Sequence, residues 1–181
     1  MIHKHELRAS MRALRKRLAE EDHSAAERAA GHAKVLPSGK TVALYRAIGS
    51  ELGTDALAQA LLDQGRVLCL PVVTARDVPM VFRLWSPGEP LEEDAAGCPA
   101  PLPLAQTAVP DLILTPLLAF DAQGQRLGQG GGYYDRTFER LPNVKRIGLA
   151  YAGQAVAQLE TEPHDIGLHG VLTEKGYRPF P

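Results

Sequence analysis

The chain has 181 residues, 20 Lys and Arg against 21 Asp and Glu, and a formal net charge of −1. That length buries a core without disulfide support, and the balanced charge gives no bulk attraction to nucleic acid or an acidic membrane. Hydrophobic content of 45% with 23% charged residues excludes a disordered tail or a coiled coil.

Residues 1–36 read as two helices. Leu7, Met11, Leu14 and Leu18 recur at helical spacing and form one apolar stripe. Lys4, Arg8, Arg12 and Arg15 form a basic stripe, read either as a solvated face or as one from which one or two residues, with Lys4 and Arg8 the candidates, reach a polyphosphate. Ser24 followed by Glu27 has the spacing of a capping box for the second helix. Pro37-Ser38-Gly39 ends it. Thr41–Tyr45 is an apolar run expected as a buried strand. Thr54 caps an expected helix over Asp55–Gln64, closed by Gly65. Val67–Val73 is a second buried strand and Met80–Trp85 a half-exposed third.

Six prolines between 87 and 110 exclude a helix or a central strand there and predict a long surface connection. Asp111–Leu118 is a further strand, with Pro116 ending its pairing. A glycine-rich loop follows over 121–132. Then come a helix from Tyr133 to Leu141, a strand over Arg146–Tyr151, a short helix over Gln154–Leu159 and a last strand over Val171–Thr173. Strands alternating with helices predict a mostly parallel sheet with helices on both faces. The expectation is a single α/β domain over 1–181, with 1–36 as a helical extension packed on it.

No apolar stretch reaches the roughly 20 residues that cross a bilayer, and Met1-Ile2-His3-Lys4-His5-Glu6 lacks the apolar run of a secretory leader. Cys69 and Cys98 form no C-x-x-C, which gives no zinc framework and fits a reducing compartment. A cytoplasmic protein is expected.

The chemistry concentrates in Asp121–Arg136, DAQGQRLGQGGGYYDR, with five glycines. Glycine serves where φ is positive or a backbone approaches a ligand closely. The stretch follows a strand and precedes a helix, which places it at the carboxyl end of the sheet. Its amides and the helix N-terminus suit a phosphate, although a flexible loop has the same composition. Tyr133 stands where a dinucleotide motif needs its third glycine, and no Gly-Lys-Ser/Thr occurs. Arg126 suits bidentate phosphate contact. Asp135 is read either as a Mg²⁺ ligand beside phosphates or as an acid favoured by the helix dipole. Glu51, after the first sheet strand, is a candidate acceptor for ligand hydrogen bonds or a helix-start acid. Asp165 stands next to His164 in a turn. No H-E-x-x-H or G-x-S-x-G is present, which leaves zinc and serine hydrolases without support.

Leu117–Arg136, LLAFDAQGQRLGQGGGYYDR, together with KHELRASMRALRKRL, SELGTD, GRVLCLPVV, PMVFRLWSPGEPL and HDIGLHGVLTEKG, resembles the 5-formyltetrahydrofolate cyclo-ligase family nearly end to end. The resemblance implies an α/β sandwich. It also implies MgATP-dependent cyclisation of 5-formyltetrahydrofolate to 5,10-methenyltetrahydrofolate, through phosphorylation of the formyl oxygen. It matches Lys4-His5-Glu6-Leu7-Arg8 and Arg126-Leu127-Gly128-Gln129-Gly130-Gly131-Gly132-Tyr133-Tyr134 to ATP-binding positions. Arg46, Glu51 and Gln129 through Tyr133 match folate-binding positions, and Asp135 and Asp165 match Mg²⁺ ligands. Arg126 and Asp135 are the residues expected to act in catalysis. Arg46 stands where an apolar residue is common, and Gly53 where many relatives carry a second acid. The expected partners are 5-formyltetrahydrofolate and ATP, with Mg²⁺ as cofactor, and the expected state is a monomer with no nucleic-acid or membrane partner. A non-catalytic nucleotide- or phosphate-binding module on the same fold is the alternative.

Overall fold

The computed structural model describes residues 4–181; the first three residues of the expected helical extension lie outside the described residues. Helix α1 spans Lys4–Glu21 and α2 Ala25–Gly31. Strand β1 (Thr41–Ala43) leads to α3 (Asp55–Asp63), then β2 (Val67–Val72) and β3 (Val81–Leu84). The proline-rich stretch carries β4 (Leu91–Glu93), β5 (Pro99–Pro101) and β6 (Thr107–Ala108). Next come β7 (Leu112–Pro116), β8 (Ala119–Phe120), β9 (Arg126–Leu127) and α4 (Tyr133–Arg140). The chain ends with β10 (Lys145–Leu149), β11 (Gly170–Thr173) and β12 (Gly176–Pro179).

Eight strands form the main sheet in the order β12-β11-β10-β7-β1-β2-β3-β6. The five from β11 to β2 are parallel, with antiparallel strands at both edges. Period-2 alternation sorts their side chains. Val42, Leu68, Leu70, Leu112 and Leu114 face Ala25, Ala29, Leu57 and Leu61 of α2 and α3. Ala43, Cys69 and Ile113 face Phe138 of α4 and Val144. Both faces are covered, which is why these strands read as unbroken apolar runs. Each fully buried Leu or Ile contributes roughly 1.5–3 kcal/mol.

Winding reverses between β1 and β7, which are direct neighbours in the sheet. The loops leaving their carboxyl ends therefore open on either side of one crevice, the usual place for a ligand in such sheets. Among the described residues no helix is long and apolar enough to cross a membrane.

Four expectations are corrected. Ser24 makes no side-chain cap to α2; its hydroxyl instead accepts from Arg28 Nη1 at 2.6 Å, beside an Asp22–Arg28 ion pair. Thr54 likewise makes no cap to α3 but donates to the Tyr45 carbonyl at 2.7 Å. The helix expected over Gln154–Leu159 is replaced by a single 3₁₀ turn at Ala152–Gln154. Beyond it the chain runs beside β8, with Val156 N–H donating to Phe120 O and Leu159 N–H to Asp121 Oδ2. The stretch 87–110 holds short strands after all. Pro99 and Pro101 lie two apart, so both missing donors fall on one edge of the β4–β5 ribbon and Ala100 pairs with Glu92 between them.

Candidate active site

The loop after β1 is tied shut from inside. Tyr45 Oη donates to Leu52 O at 2.8 Å, and Thr54 Oγ1 returns to Tyr45 O. This fixes the turn that carries Glu51, whose Oε2 accepts the Ile48 N–H at 2.9 Å. Burial pushes the Glu51 carboxyl above its usual range; the Ile48 amide and the Arg15 guanidinium oppose that shift. Arg15 is itself 6% exposed. From α1 it donates to Ser50 Oγ at 3.1 Å and to Leu117 O at 3.2 Å, which joins the helix to both crevice loops.

The loop after β7 begins as the β8–β9 hairpin. Its turn is held by Asp121, whose carboxylate takes the amides of Gln123, Gln125 and Leu159. The glycine stretch follows. Gly130 (φ 108°) and Gly132 (φ 70°) are left-handed, a conformation that side chains other than glycine's resist. Gly132 precedes α4 and brings no capping side chain, so the first amides of α4 stay available.

Helix α1 lies against this loop. Arg8 Nε donates to Gly128 O at 3.0 Å, and Arg12 Nε to Gln129 Oε1 at 2.9 Å. Arg126 has a side chain 6% exposed, and its Nη2 donates to Asp135 Oδ1 at 2.6 Å. Its Nε is buried and has no partner among the described residues. Burial lowers the Arg126 pKa, with Asp135 pulling the other way. Asp135 Oδ1 also accepts the Ile166 N–H at 3.0 Å, so the segment following Asp165 is tied to the start of α4. Lys4 Nζ binds Asp165 Oδ2 at 2.9 Å and Glu162 Oε2 at 3.1 Å. Burial favours a higher pKa for Asp165, but the Glu162 amide and Lys4 outweigh it and hold the carboxyl below its usual range. The ligand atoms of Glu162, His164 and Asp165 lie within 4.8 Å of one another.

These groups line one cavity of ≈ 330 Å³. It brings together Lys4, Arg8, Arg46, Glu51, Asp135 and Asp165 with the whole run from Arg126 to Tyr134. His5, Glu6 and Leu7 do not line it. His5 and Glu6 are exposed, and Leu7 packs with Met11 and Leu118. The wall also holds Arg15, Tyr45, Met80, Cys98 and Glu162, which sequence reasoning missed. For Arg15 a signal existed: it stands four residues after Met11 and three before Leu18, inside the apolar stripe.

The model of the 5-formyltetrahydrofolate cyclo-ligase family matches residues 1–174. The 5-formyltetrahydrofolate cyclo-ligase of Haemophilus influenzae is 35% identical over 178 residues, covering 92% of this chain and 95% of the relative. The Escherichia coli K12 enzyme of the same name is 35% identical over 143 residues, 74% of this chain and 77% of its own. Among solved structures, the 5,10-methenyltetrahydrofolate synthetase of Aquifex aeolicus superposes with a TM-score of 0.81 at 32% identity, covering 98% of this chain and 93% of that one. The Mycoplasma pneumoniae structure, at TM-score 0.75 and 24% identity over 96% of this chain and 99% of that one, shares the fold. With the family matched from end to end and the crevice built from its loops, the chain is an enzyme of the 5-formyltetrahydrofolate cyclo-ligase family.

Proposed function

We propose that this enzyme converts 5-formyltetrahydrofolate and MgATP to 5,10-methenyltetrahydrofolate, ADP and phosphate. The observation that carries this reading is the polarity of this cavity. A cationic end built from the glycine loop, Arg126, Lys4 and Arg8 meets a wall with a half-buried carboxylate, Glu51.

The chemistry explains why both ends are needed. The formyl group is an amide on the pterin nitrogen, and its oxygen leaves poorly. Transfer of the γ-phosphoryl group to that oxygen, with ADP departing, gives an iminium-like phosphate ester. The anilino nitrogen attacks the activated carbon, the ring closes, and the C–O bond breaks to release phosphate, which carries away the anilino N–H proton. The protein supplies no nucleophile. It aligns two substrates and stabilises charge on the transferring group.

The amides of Gly130 to Gly132, the N-terminus of α4 and the unpartnered Arg126 Nε are the donors for the phosphates. Glu51 accepts hydrogen bonds from the pterin. Tyr133 and Tyr134 flank the ring, and Tyr134 stays protonated, because burial raises its pKa further above neutrality.

The carboxylates fit a hard cation. Asp135 spends both its hydrogen bonds on Oδ1, and Asp165 stands beside the amide that Asp135 accepts. These two would hold Mg²⁺ together with phosphate oxygens. When bound, the ion offsets charge on the phosphoryl group. Every group in this scheme comes from one chain, so a monomer suffices.

The test is absorbance in the methenyl product band after mixing protein, 5-formyltetrahydrofolate and MgATP. Product that forms only with nucleotide is expected. Nucleotide binding without turnover would replace this reading with a non-catalytic nucleotide-binding module.

A further inference from the structure

Five cationic side chains line the cavity: Lys4, Arg8, Arg15, Arg46 and Arg126. Four are committed to the crevice interior or its phosphate end. Lys4 holds Asp165 and Glu162, Arg8 holds the Gly128 carbonyl, Arg15 joins the two loops, and Arg126 pairs with Asp135. Arg46 stands apart. It sits on the loop after β1, five residues before Glu51, with its side chain 29% exposed. Its guanidinium carbon lies 5.2 Å from the centroid of the buried Trp85 ring. A guanidinium resting on an aromatic face is held in place while its N–H edge stays usable. One nitrogen, Nη1, donates to Asp55 Oδ1 at 2.6 Å. Nε and Nη2 donate to nothing among the described residues, and Asp55 itself is 83% exposed. Beside Arg46 on the cavity wall stands Ile48, 49% exposed.

A reduced folate has three parts: a pterin that offers N–H groups, an apolar aminobenzoyl ring, and a glutamyl tail that carries the molecule's negative charge. Burying those carboxylates unpaired is costly, so the tail leaves through the exposed mouth. The wall offers matching chemistry: a half-buried carboxylate at Glu51, an exposed apolar side chain at Ile48, and a half-exposed arginine with donors to spare. A planar guanidinium binds a carboxylate through two parallel N–H···O bonds. Asp55 pre-positions Arg46 and competes with the incoming carboxylate.

We propose that Arg46 is the subsite for the glutamyl carboxylate of the folate and sets the preference for glutamylated over unglutamylated substrate. This rests on the folate reading of the cavity given above.

The experiment compares 5-formyltetrahydrofolate with 5-formyltetrahydropteroate, which lacks the glutamate, in wild type, Arg46→Leu, Arg46→Lys and Asp55→Asn. The readout is the ratio of kcat/KM for the glutamylated over the unglutamylated compound. Arg46→Leu is expected to lower the ratio about threefold to tenfold, as for a partly exposed charge-assisted contact. Arg46→Lys restores part of it, and Asp55→Asn, by removing the competing carboxylate, raises it. A ratio that stays at the wild-type value in both Arg46→Leu and Asp55→Asn overturns the proposal, whatever happens to thermal stability. Absence of turnover in the wild type sinks the cyclo-ligase reading instead. The same ratio is then taken from dissociation constants of the two compounds by calorimetry, and the same two outcomes decide on Arg46.

Discussion

Arg126 and Asp135 hold each other: Nη2 of the arginine lies 2.6 Å from Oδ1 of the aspartate, both in the cavity wall. Two residues nine apart in sequence, each suited to a different partner, thus share one ion pair. That pair aims the buried guanidinium and leaves its Nε as a donor without a partner among the described residues. Arg126→Met should cut kcat/KM for ATP by about one to two decades, the cost of one charge-assisted contact, and should affect the folate KM much less. Steady-state kinetics with each substrate varied in turn, plus circular dichroism to confirm folding, would check it. Unaltered ATP dependence in a folded variant removes Arg126 from the phosphate site.

The same pair makes Asp135 the more sensitive of the two acids. Asp135→Asn strips a charge partner from an arginine side chain that is 6% exposed. It should therefore destabilise the fold by about 3 kcal/mol as well as raise the Mg²⁺ concentration needed for half-maximal rate. Asp165→Asn weakens a part-buried pair with Lys4, whose side chain is 24% exposed against 6% for Arg126, so it should cost less stability and shift the Mg²⁺ requirement less. Urea unfolding and Mg²⁺ titration of the rate separate the two effects. Equal stability losses would mean that the Arg126 pair is not a buried one energetically.

Gly130 tests the loop backbone. A β-carbon there would meet nothing closer than Arg8 Cζ at 3.4 Å, but φ is 108°, and valine resists that conformation strongly. The position is exposed, so Gly130→Val should displace the loop, abolish turnover and leave the melting temperature within a few degrees of wild type. Full activity would show that no ligand needs this backbone.

Partial burial pushes the Glu51 carboxyl above the usual glutamate range, and the Ile48 amide and Arg15 restrain that rise. If ionised Glu51 accepts the pterin N–H groups, kcat/KM for folate falls as pH drops through its raised pKa. The acid limb then lies above the ordinary value of about 4.3. Removing Arg15 takes away a cation that favours the carboxylate, so Arg15→Met moves the limb to higher pH, while Glu51→Gln flattens it. Arg15→Met also leaves Ser50 without a partner in this network and should cost about 1–3 kcal/mol, which chemical denaturation measures. A limb at the same pH in Arg15→Met assigns it to another group.

Much of this could be read from residue order, and the reasons differ by element. The parallel strands were legible because burial on both faces leaves runs such as Leu112-Ile113-Leu114 with no polar interruption. The glycine loop was legible because three successive glycines have no packing use. Arg15 was not read correctly, because a cation at an apolar-stripe position looks like one more member of a basic face until the Leu117 carbonyl is placed opposite it. Strand β12 was missed because its four residues include Pro179 and pair only at the sheet edge with β11. The turn after Gln154 was taken for a helix because nothing local reveals that Phe120 and Asp121 take its amides. Local pattern encodes periodicity and backbone freedom, whereas the misreadings of Arg15 and of the turn after Gln154 turn on partners about 36 to 102 residues away.

The chain's two sulfhydryls differ in a useful way. Cys69 lies in β2 with no exposed surface, and burial pushes its thiol up to about 12. Cys98 sits half-buried in the wall of the cavity. A small alkylating reagent therefore meets one sulfur, in the cavity proposed to take the substrates, so on that reading the native protein carries its own occupancy gauge. The rate of iodoacetamide labelling at Cys98, followed by intact mass, should fall as 5-formyltetrahydrofolate is added, and half-protection should fall at the folate dissociation constant. Affinity could then be measured without turnover, nucleotide or an engineered label.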